Sequence, residues 1–304
     1  MTRTLRSANR QTTLEKPEQQ PLQPGFNNTV KCIRTKDPLP GLSHAETRLL
    51  RKKQRRLHTS STNLRTVAAS YGEHITTALK ATFIFAQHEA GTAVCVDSRG
   101  WILTCAHCFG ESEEEWREDR YKWLLTYNGV AVRVECLVWD TRRDLALARV
   151  VCVEAETAAL EFAYIAVPER SAVSSSKTYT CKPIICIGQP GADDLESATP
   201  RETGYELVSI SEGRLRELVP GADPQDNSEI GTLKHDAWTY WGHSGAPLVC
   251  EKTGVLLGLH SSWDEDTAMR HGVPAVAVAE FLTTHLATEG RELSESEVIV
   301  IVSD

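Results

Sequence analysis

Apolar and polar residues alternate through most of the chain after about residue 80, in short runs separated by turn residues. Ala81–Ala86 reads as a first strand. Gly91–Leu103 reads as a hairpin turning at Ser98, Arg99 and Gly100, and Trp123–Tyr127, Ala131–Trp139 and Leu145–Val153 follow as strands. Short strands of this kind predict a barrel over about 81–168. A second series predicts another over about 175–280: Thr178–Ile187, Glu206–Ser211, Ile230–His235, Gly245–Cys250, Val255–His260 and a closing Gly272–Val278, with a polar loop at Pro220–Ser228. Helical spacing is confined to the flanks. Val67, Tyr71, Ile75 and Leu79 share one face and predict a helix from Val67 to Lys80, and Glu111–Arg120 reads as an acidic insert with a helical turn. Ala279–Thr288 predicts a C-terminal helix that buries Phe281, Leu282 and His285 or Leu286.

Residues 1–66 break the pattern, being rich in Thr, Gln, Pro, Asn, Lys and Arg with little periodicity, and they read as a disordered basic arm. A helix at His44–Leu57 would be kept in solvent by its charge. The arm holds 14 Lys/Arg and 4 Asp/Glu, against 19 and 37 in the remainder, so the net charge of −8 conceals a basic arm on an acidic body. Such an arm either has its own partner, nucleic acid or an acidic protein, or serves solubility. Its cluster Arg51–Arg56 has the composition of a nuclear-localisation signal, and no DNA-binding motif beyond charge accompanies it. The first residues lack the apolar stretch of a secretory signal, and no apolar run reaches membrane-spanning length. With nine cysteines, an odd number, this predicts a reducing compartment, cytoplasmic or nuclear, and neither secretion nor a membrane.

Candidate chemistry centres on Thr239–Leu248. Ser244 stands in Gly242, His243, Ser244, Gly245, where flanking glycines allow a sharp turn with amides on one side. An acyl-transfer nucleophile needs that arrangement. It also needs a base, and the base a carboxylate. His107 closes the apolar run Gly100–Thr104, and Asp144 opens the alternating Leu145, Ala146, Leu147. Asp140, four residues earlier, lacks that continuation. The chain resembles the trypsin-like (chymotrypsin-fold) serine proteases, most closely the HtrA-type and glutamyl-endopeptidase branches. The resemblance rests on Gly91 and Thr92; Leu103, Thr104, Ala106 and His107; Asp144 to Ala146; Ile187, Gly188, Pro190 and Gly191; and Gly242, Ser244, Gly245, Pro247 and Leu248. It spans about residues 80–289.

The resemblance implies an all-β fold of two antiparallel six-stranded barrels within a protease domain at 67–290, with the C-terminal helix and the basic arm outside them. It implies a serine endopeptidase acting on protein or peptide, with His107 as base, Asp144 as its orienter, Ser244 as nucleophile and the Gly242 and Ser244 amides as oxyanion hole. Secreted relatives often carry half of a disulfide at the position of Cys108, but its usual partner has no counterpart in 87–90. Self-activating relatives have an aspartate where His243 stands, so activation cleavage is not expected; being adjacent to Ser244, His243 is not its base either. Thr239 and His260 stand where glutamate- and glutamine-selective relatives have a hydroxyl residue and a histidine, which implies cleavage after Glu or Gln. Alternatively His260 is a core histidine, and Trp238, Tyr240 and Trp241 make the pocket apolar or block it. No cofactor is implied. Cys105 and Cys108 lack a second ligand pair, so no metal is expected. The tail, 291–304, resembles a SUMO-interacting motif through Val298–Val302 with its acidic flank; the alternative is a strand on the protein's own body. Nothing resembling a PDZ domain is expected in the short stretch after the protease body. The rival to an enzyme is a protease-like scaffold whose arm and tail recruit nuclear or SUMO-linked partners.

Overall fold

Strand-forming runs of Val, Ile, Leu and Trp make up two barrels in the structure, a computed structural model that describes residues 30–35, 37–87, 90–155, 161–194, 197–286 and 299–301. Chain order begins with β1 (Lys31–Ile33), α1 (His44–Ser70), α2 (Glu73–Ala81), β2 (Thr82–Phe85), β3 (Thr92–Cys95), β4 (Trp101–Thr104) and α3 (Glu113–Glu118). Then come β5 (Tyr121–Thr126), β6 (Ala131–Asp140), β7 (Leu145–Glu154) and the short α4 (Arg170–Val173). The second half holds β8 (Pro183–Gly188), β9 (Ser209–Leu218), β10 (Leu233–His235), β11 (Pro247–Cys250), β12 (Leu256–Asp264), β13 (Met269–Pro274), α5 (Ala275–Leu286) and β14 (Ile299–Ile301). Antiparallel pairing joins β7-β4-β3-β2-β5-β6 and closes through β6–β7; the second barrel runs β10-β13-β12-β11-β8-β9. Each barrel is lined by its buried apolar side chains.

Two parallel strands extend the first barrel. β1 pairs with β7 at Cys152–Glu154, past the stretch of β7 taken by β4. β14 pairs with β6 at Val138–Asp140, past the stretch taken by β5. Ile299–Ile301 thus lie on the protein's own sheet, while Val298 and Val302 fall outside the described residues. No helix among the described residues is long and apolar enough to cross a membrane.

The arm departs most from its sequence reading. Residues 1–29 lie outside the described residues, but 44–70 is a helix with a Ser43–Glu46 capping box. Its charge does not keep it in solvent. Leu50, Leu57 and Leu64, seven apart, form with Ala68 a narrow buried stripe. Burying each leucine stabilises by roughly 1.5–3 kcal/mol. Lys53 lies in the same stripe and donates to the Phe85 and Gln87 carbonyls, each at 2.8 Å. Burial, then the neighbouring Arg56, lowers its pKa to about 8. Arg51 and Gln54 bind the two oxygens of Glu154 at 2.5 and 2.7 Å. Helix α1 is therefore fastened to the first barrel by both apolar and polar groups.

Smaller corrections have local causes. The single helix expected from Val67 to Lys80 is broken at Gly72 (φ 114°), and Val67 is exposed. Strand β9 runs to Leu218, seven residues past the expected end, because its charged positions face solvent around one buried residue, Leu215. The closing strand starts earlier than expected and stops at Pro274, whose successor opens α5. The expected acidic turn is α3, whose buried Trp116 stacks on Trp139 with ring centroids 6.0 Å apart.

Candidate active site

The cleft between the barrels collects His107 and Asp144 from the first and Ser244 from the second. His107 sits in a 3₁₀ turn, Ala106–Cys108, directly after β4. Asp144 ends the β6–β7 turn with φ 51°, a left-handed backbone that aspartate tolerates better than most residues. Its carboxylate faces the His107 ring, with Nδ1 at 2.9 Å from Oδ1 and 3.1 Å from Oδ2, and the His107 amide also donates to Oδ1 at 3.3 Å. Burial pulls the His107 pKa down, but the charge and hydrogen bond of Asp144 outweigh it, so the pKa stands above 6.5. Asp140 is fully buried and bound instead to Arg143 at 2.8 Å. A cleft of about 370 Å³ opens beside the pair, lined by His107, Glu111, Asp144, Asn227, Ser261 and Ser262 among others.

Ser244 lies on the tight turn before β11. Its hydroxyl donates to the Ser261 carbonyl at 3.3 Å, and no hydrogen bond joins it to His107 in this conformation. Gly242 (φ 96°) and Gly245 (φ 82°) adopt the left-handed backbone that glycine allows. A Cβ at Gly245 would collide with the Thr92 carbonyl and the Thr104 hydroxyl. The Trp241 carbonyl accepts from Gly191 N at 2.5 Å and the His243 carbonyl from Ala246 N at 2.7 Å. In a trans peptide the N–H points opposite the C=O. The Gly242 and Ser244 amides are therefore turned away from these bonds, and neither has an internal acceptor among the described residues.

One threonine joins the Ser244 turn to the other barrel. Thr92 N donates to the Ser244 carbonyl at 2.9 Å. Its hydroxyl donates to the Gly242 carbonyl at 3.2 Å and accepts from Gln189 N at 2.9 Å. Its carbonyl accepts from the Thr104 hydroxyl at 2.7 Å.

His243 has both ring nitrogens engaged away from Ser244: Nε2 lies 2.8 Å from Ser209 Oγ, and Nδ1 is 2.9 and 3.1 Å from Tyr240 O and N. Burial lowers its pKa to about 4. It braces the turn as a neutral ring.

Behind Ser244 stand Thr239 and His260, both buried. His260 Nδ1 is 3.0 Å from Nε2 of the buried His235, whose Nδ1 has no partner among the described residues. A proton on that Nδ1 would be a buried N–H without an acceptor, so we assign the proton to His235 Nε2, which donates to His260 Nδ1 and leaves the His260 proton on Nε2. Burial lowers the pKa of His235 to about 3 and that of His260 well below 6.5. Trp238, at 36 % exposure, is a surface ring set edge-on to His243 and Tyr205. Lone residues on distant strands are invisible to motif reading, and three partners were missed that way: His235, Ser209 and Arg270, whose Nε donates to Thr239 Oγ1 at 3.1 Å.

Donor atoms of Cys105, His107 and Asp144 lie within 4.8 Å of one another and could hold a metal ion. Burial raises the Cys105 pKa, which keeps the thiol protonated and makes it a poor ligand, and its Sγ points to the His260 carbonyl at 3.5 Å. Cys108 is directed to the Ser244 carbonyl at 3.7 Å instead of completing that group.

This is the architecture of a peptidase with its site between two barrels. The family model of the trypsin-like peptidase domain matches residues 91–259, more than half of the chain, and the chain belongs to that family of serine endopeptidases. Among solved structures, it is similar to an HtrA-type protease, AlgW, with a decapeptide. That match has 14% identity and a TM-score of 0.48, and it covers 71% of this chain and 68% of that one. No curated protein matches the sequence.

Proposed function

We propose that this serine endopeptidase is an intracellular enzyme that works through Ser244, His107 and Asp144 and prefers glutamate or glutamine before the scissile bond. The observation that carries the reading is the close His107–Asp144 pair beside a serine turn with two amides lacking internal acceptors. Asp144 holds the proton of neutral His107 on Nδ1, which leaves Nε2 as the base. Rotation about χ1 takes the Ser244 hydroxyl from the Ser261 carbonyl to that nitrogen, a tightening common on substrate binding. Oγ then attacks the peptide carbonyl as its proton passes to Nε2. The oxyanion is received by the Gly242 and Ser244 amides. The imidazolium, stabilised by Asp144, returns the proton to the leaving amine, and water repeats the cycle on the acyl-enzyme. Thr239 and His260 support the preference, since a hydroxyl and a neutral imidazole N–H both donate to a side-chain carbonyl or carboxylate. Nine free thiols support a reducing compartment.

A fluorophosphonate probe should label the wild type and leave Ser244→Ala and His107→Ala unlabelled, with peptide cleavage reduced about 10⁴-fold or more in both. Because the base must be neutral, kcat/KM should rise with pH through an apparent pKa above 6.5. A folded wild-type protein that takes up no probe refutes the mechanism. Best cleavage after Arg or Leu in a panel varying only that residue refutes the preference.

A further inference from the structure

We infer that Arg270 is the carboxylate-recognising residue of the primary specificity pocket and that it makes the enzyme choose glutamate over glutamine. The inference rests on the specificity reading above and sharpens it.

Arg270 stands on β13 between two strands of the second barrel. In register it faces His235 on β10 and Trp263 on β12, and residues opposed in this way share a face of the sheet. Its guanidinium lies over the Trp263 ring at 5.3 Å from the centroid, and its Nε is fixed by Thr239 Oγ1 at 3.1 Å. Thr239 is five residues before Ser244. The cation is thus held by the same hydroxyl that the sequence placed in the pocket.

Three features say what this guanidinium awaits. It is half-buried, yet it forms no ion pair among the described residues. The acid whose charge acts on it, Asp236, is already engaged by Arg216 and by the Arg214 amide at 2.5 Å. Beside it, His235, His243 and His260 are kept neutral by burial, so Arg270 is the one formal charge this group supplies. Finally, every group offered is a donor. Thr239 Oγ1 already accepts from Arg270 and has its O–H to give. His260 carries its proton on Nε2, and Nη1 and Nη2 of Arg270 are uncommitted among the described residues. A carboxylate, which only accepts, satisfies such a set. A carboxamide sets its own NH₂ against it. Arginine matches a carboxylate with a rigid planar fork, and the charge-assisted bond is about twice as strong as a neutral one.

The test compares peptides identical except for Glu, Gln, Leu or Arg before the scissile bond, with wild type, Arg270→Gln and Arg270→Lys. The readout is the ratio of kcat/KM for Glu over Gln within each enzyme, which is independent of the fraction of active protein. Wild type should favour Glu by about tenfold or more. Arg270→Gln should bring the ratio to about one, and Arg270→Lys should fall between. Probe labelling of Ser244 in each variant reports a folded site. A Glu/Gln ratio near one in wild type, or one within twofold of wild type in Arg270→Gln, overturns the inference while leaving the peptidase intact. Should Arg270→Gln not fold, the wild-type ratio and the lysine variant decide. A wild type inert to the probe and to every peptide overturns the catalytic reading, and this one with it.

Discussion

Acidification from pH 7 to 5 should destabilise the enzyme through its buried histidines, before ordinary carboxylates titrate. His243 is fully buried, with its pKa lowered from 6.5 to about 4. The unfolded chain therefore binds a proton between these values that the folded protein refuses. Stability is complete above pH 6.5 and declines as pH falls toward 4, at about 1.4 kcal/mol per pH unit. From pH 7 to 5, His243 alone accounts for about 2 kcal/mol, a large part of the roughly 5–15 kcal/mol typical of a folded protein. His235 and His260 are lowered by the same burial and add in the same direction. His107 has the opposite sign: its raised pKa gives stability that is full below 6.5 and lost as pH rises through the folded value, so acidification from pH 7 to 5 increases it and offsets part of the loss from the buried histidines. Urea unfolding followed by tryptophan fluorescence at half-unit intervals measures the slope. Replacing His243 with Gln, which cannot titrate, should remove about 2 kcal/mol of the pH-dependent loss whatever it does to absolute stability. A wild type losing less than about 1 kcal/mol between pH 7 and 5, or a variant with an unchanged pH profile, would refute the reasoning.

Two further outcomes follow from parts of the chain outside the cleft. Leu57→Ala empties a fully buried position on α1 and should lower unfolding stability by about 2–5 kcal/mol; a loss under about 0.5 kcal/mol, the range of a surface change, would show that α1 does not hold to the barrel in solution. Capture on SUMO resin requires Ile299–Ile301 to leave their pairing with β6, so the intact enzyme should be retained weakly, and alanines at Val298–Ile301 should abolish whatever is retained. Strong capture of both forms would remove the tail as the SUMO contact.

The barrels were legible in the sequence because alternation is a local signal. β5, β6 and β7 fall within two residues of their expected limits. Ser244, His107 and Asp144 were legible for a similar reason, each standing inside its own short motif. Helix α1 was not, because three leucines seven residues apart are a thin stripe in a helix that carries seven Lys/Arg, and Lys53 interrupts it. Only the tertiary partners, two main-chain carbonyls at the end of β2, explain why a lysine belongs there. Arg270, His235 and Ser209 share that limitation. What each does depends on which strand the barrel sets opposite it, and that is a long-range fact. His243 was recognised as a departure, but its bond to Ser209, 34 residues earlier, had no trace in the chain.

Thr92 gives the cleft its mechanical character. Its amide, hydroxyl and carbonyl are all engaged, so the Ser244 loop is riveted to the half of the molecule that carries His107. Further bonds clamp the same two halves elsewhere, from Asn227 N to the Arg142 carbonyl at 2.7 Å and from Arg143 Nε to Gln225 Oε1 at 2.8 Å. Drawing the Ser244 turn away from the His107 half would therefore mean breaking the bonds that Thr92 makes to Ser244 and Gly242.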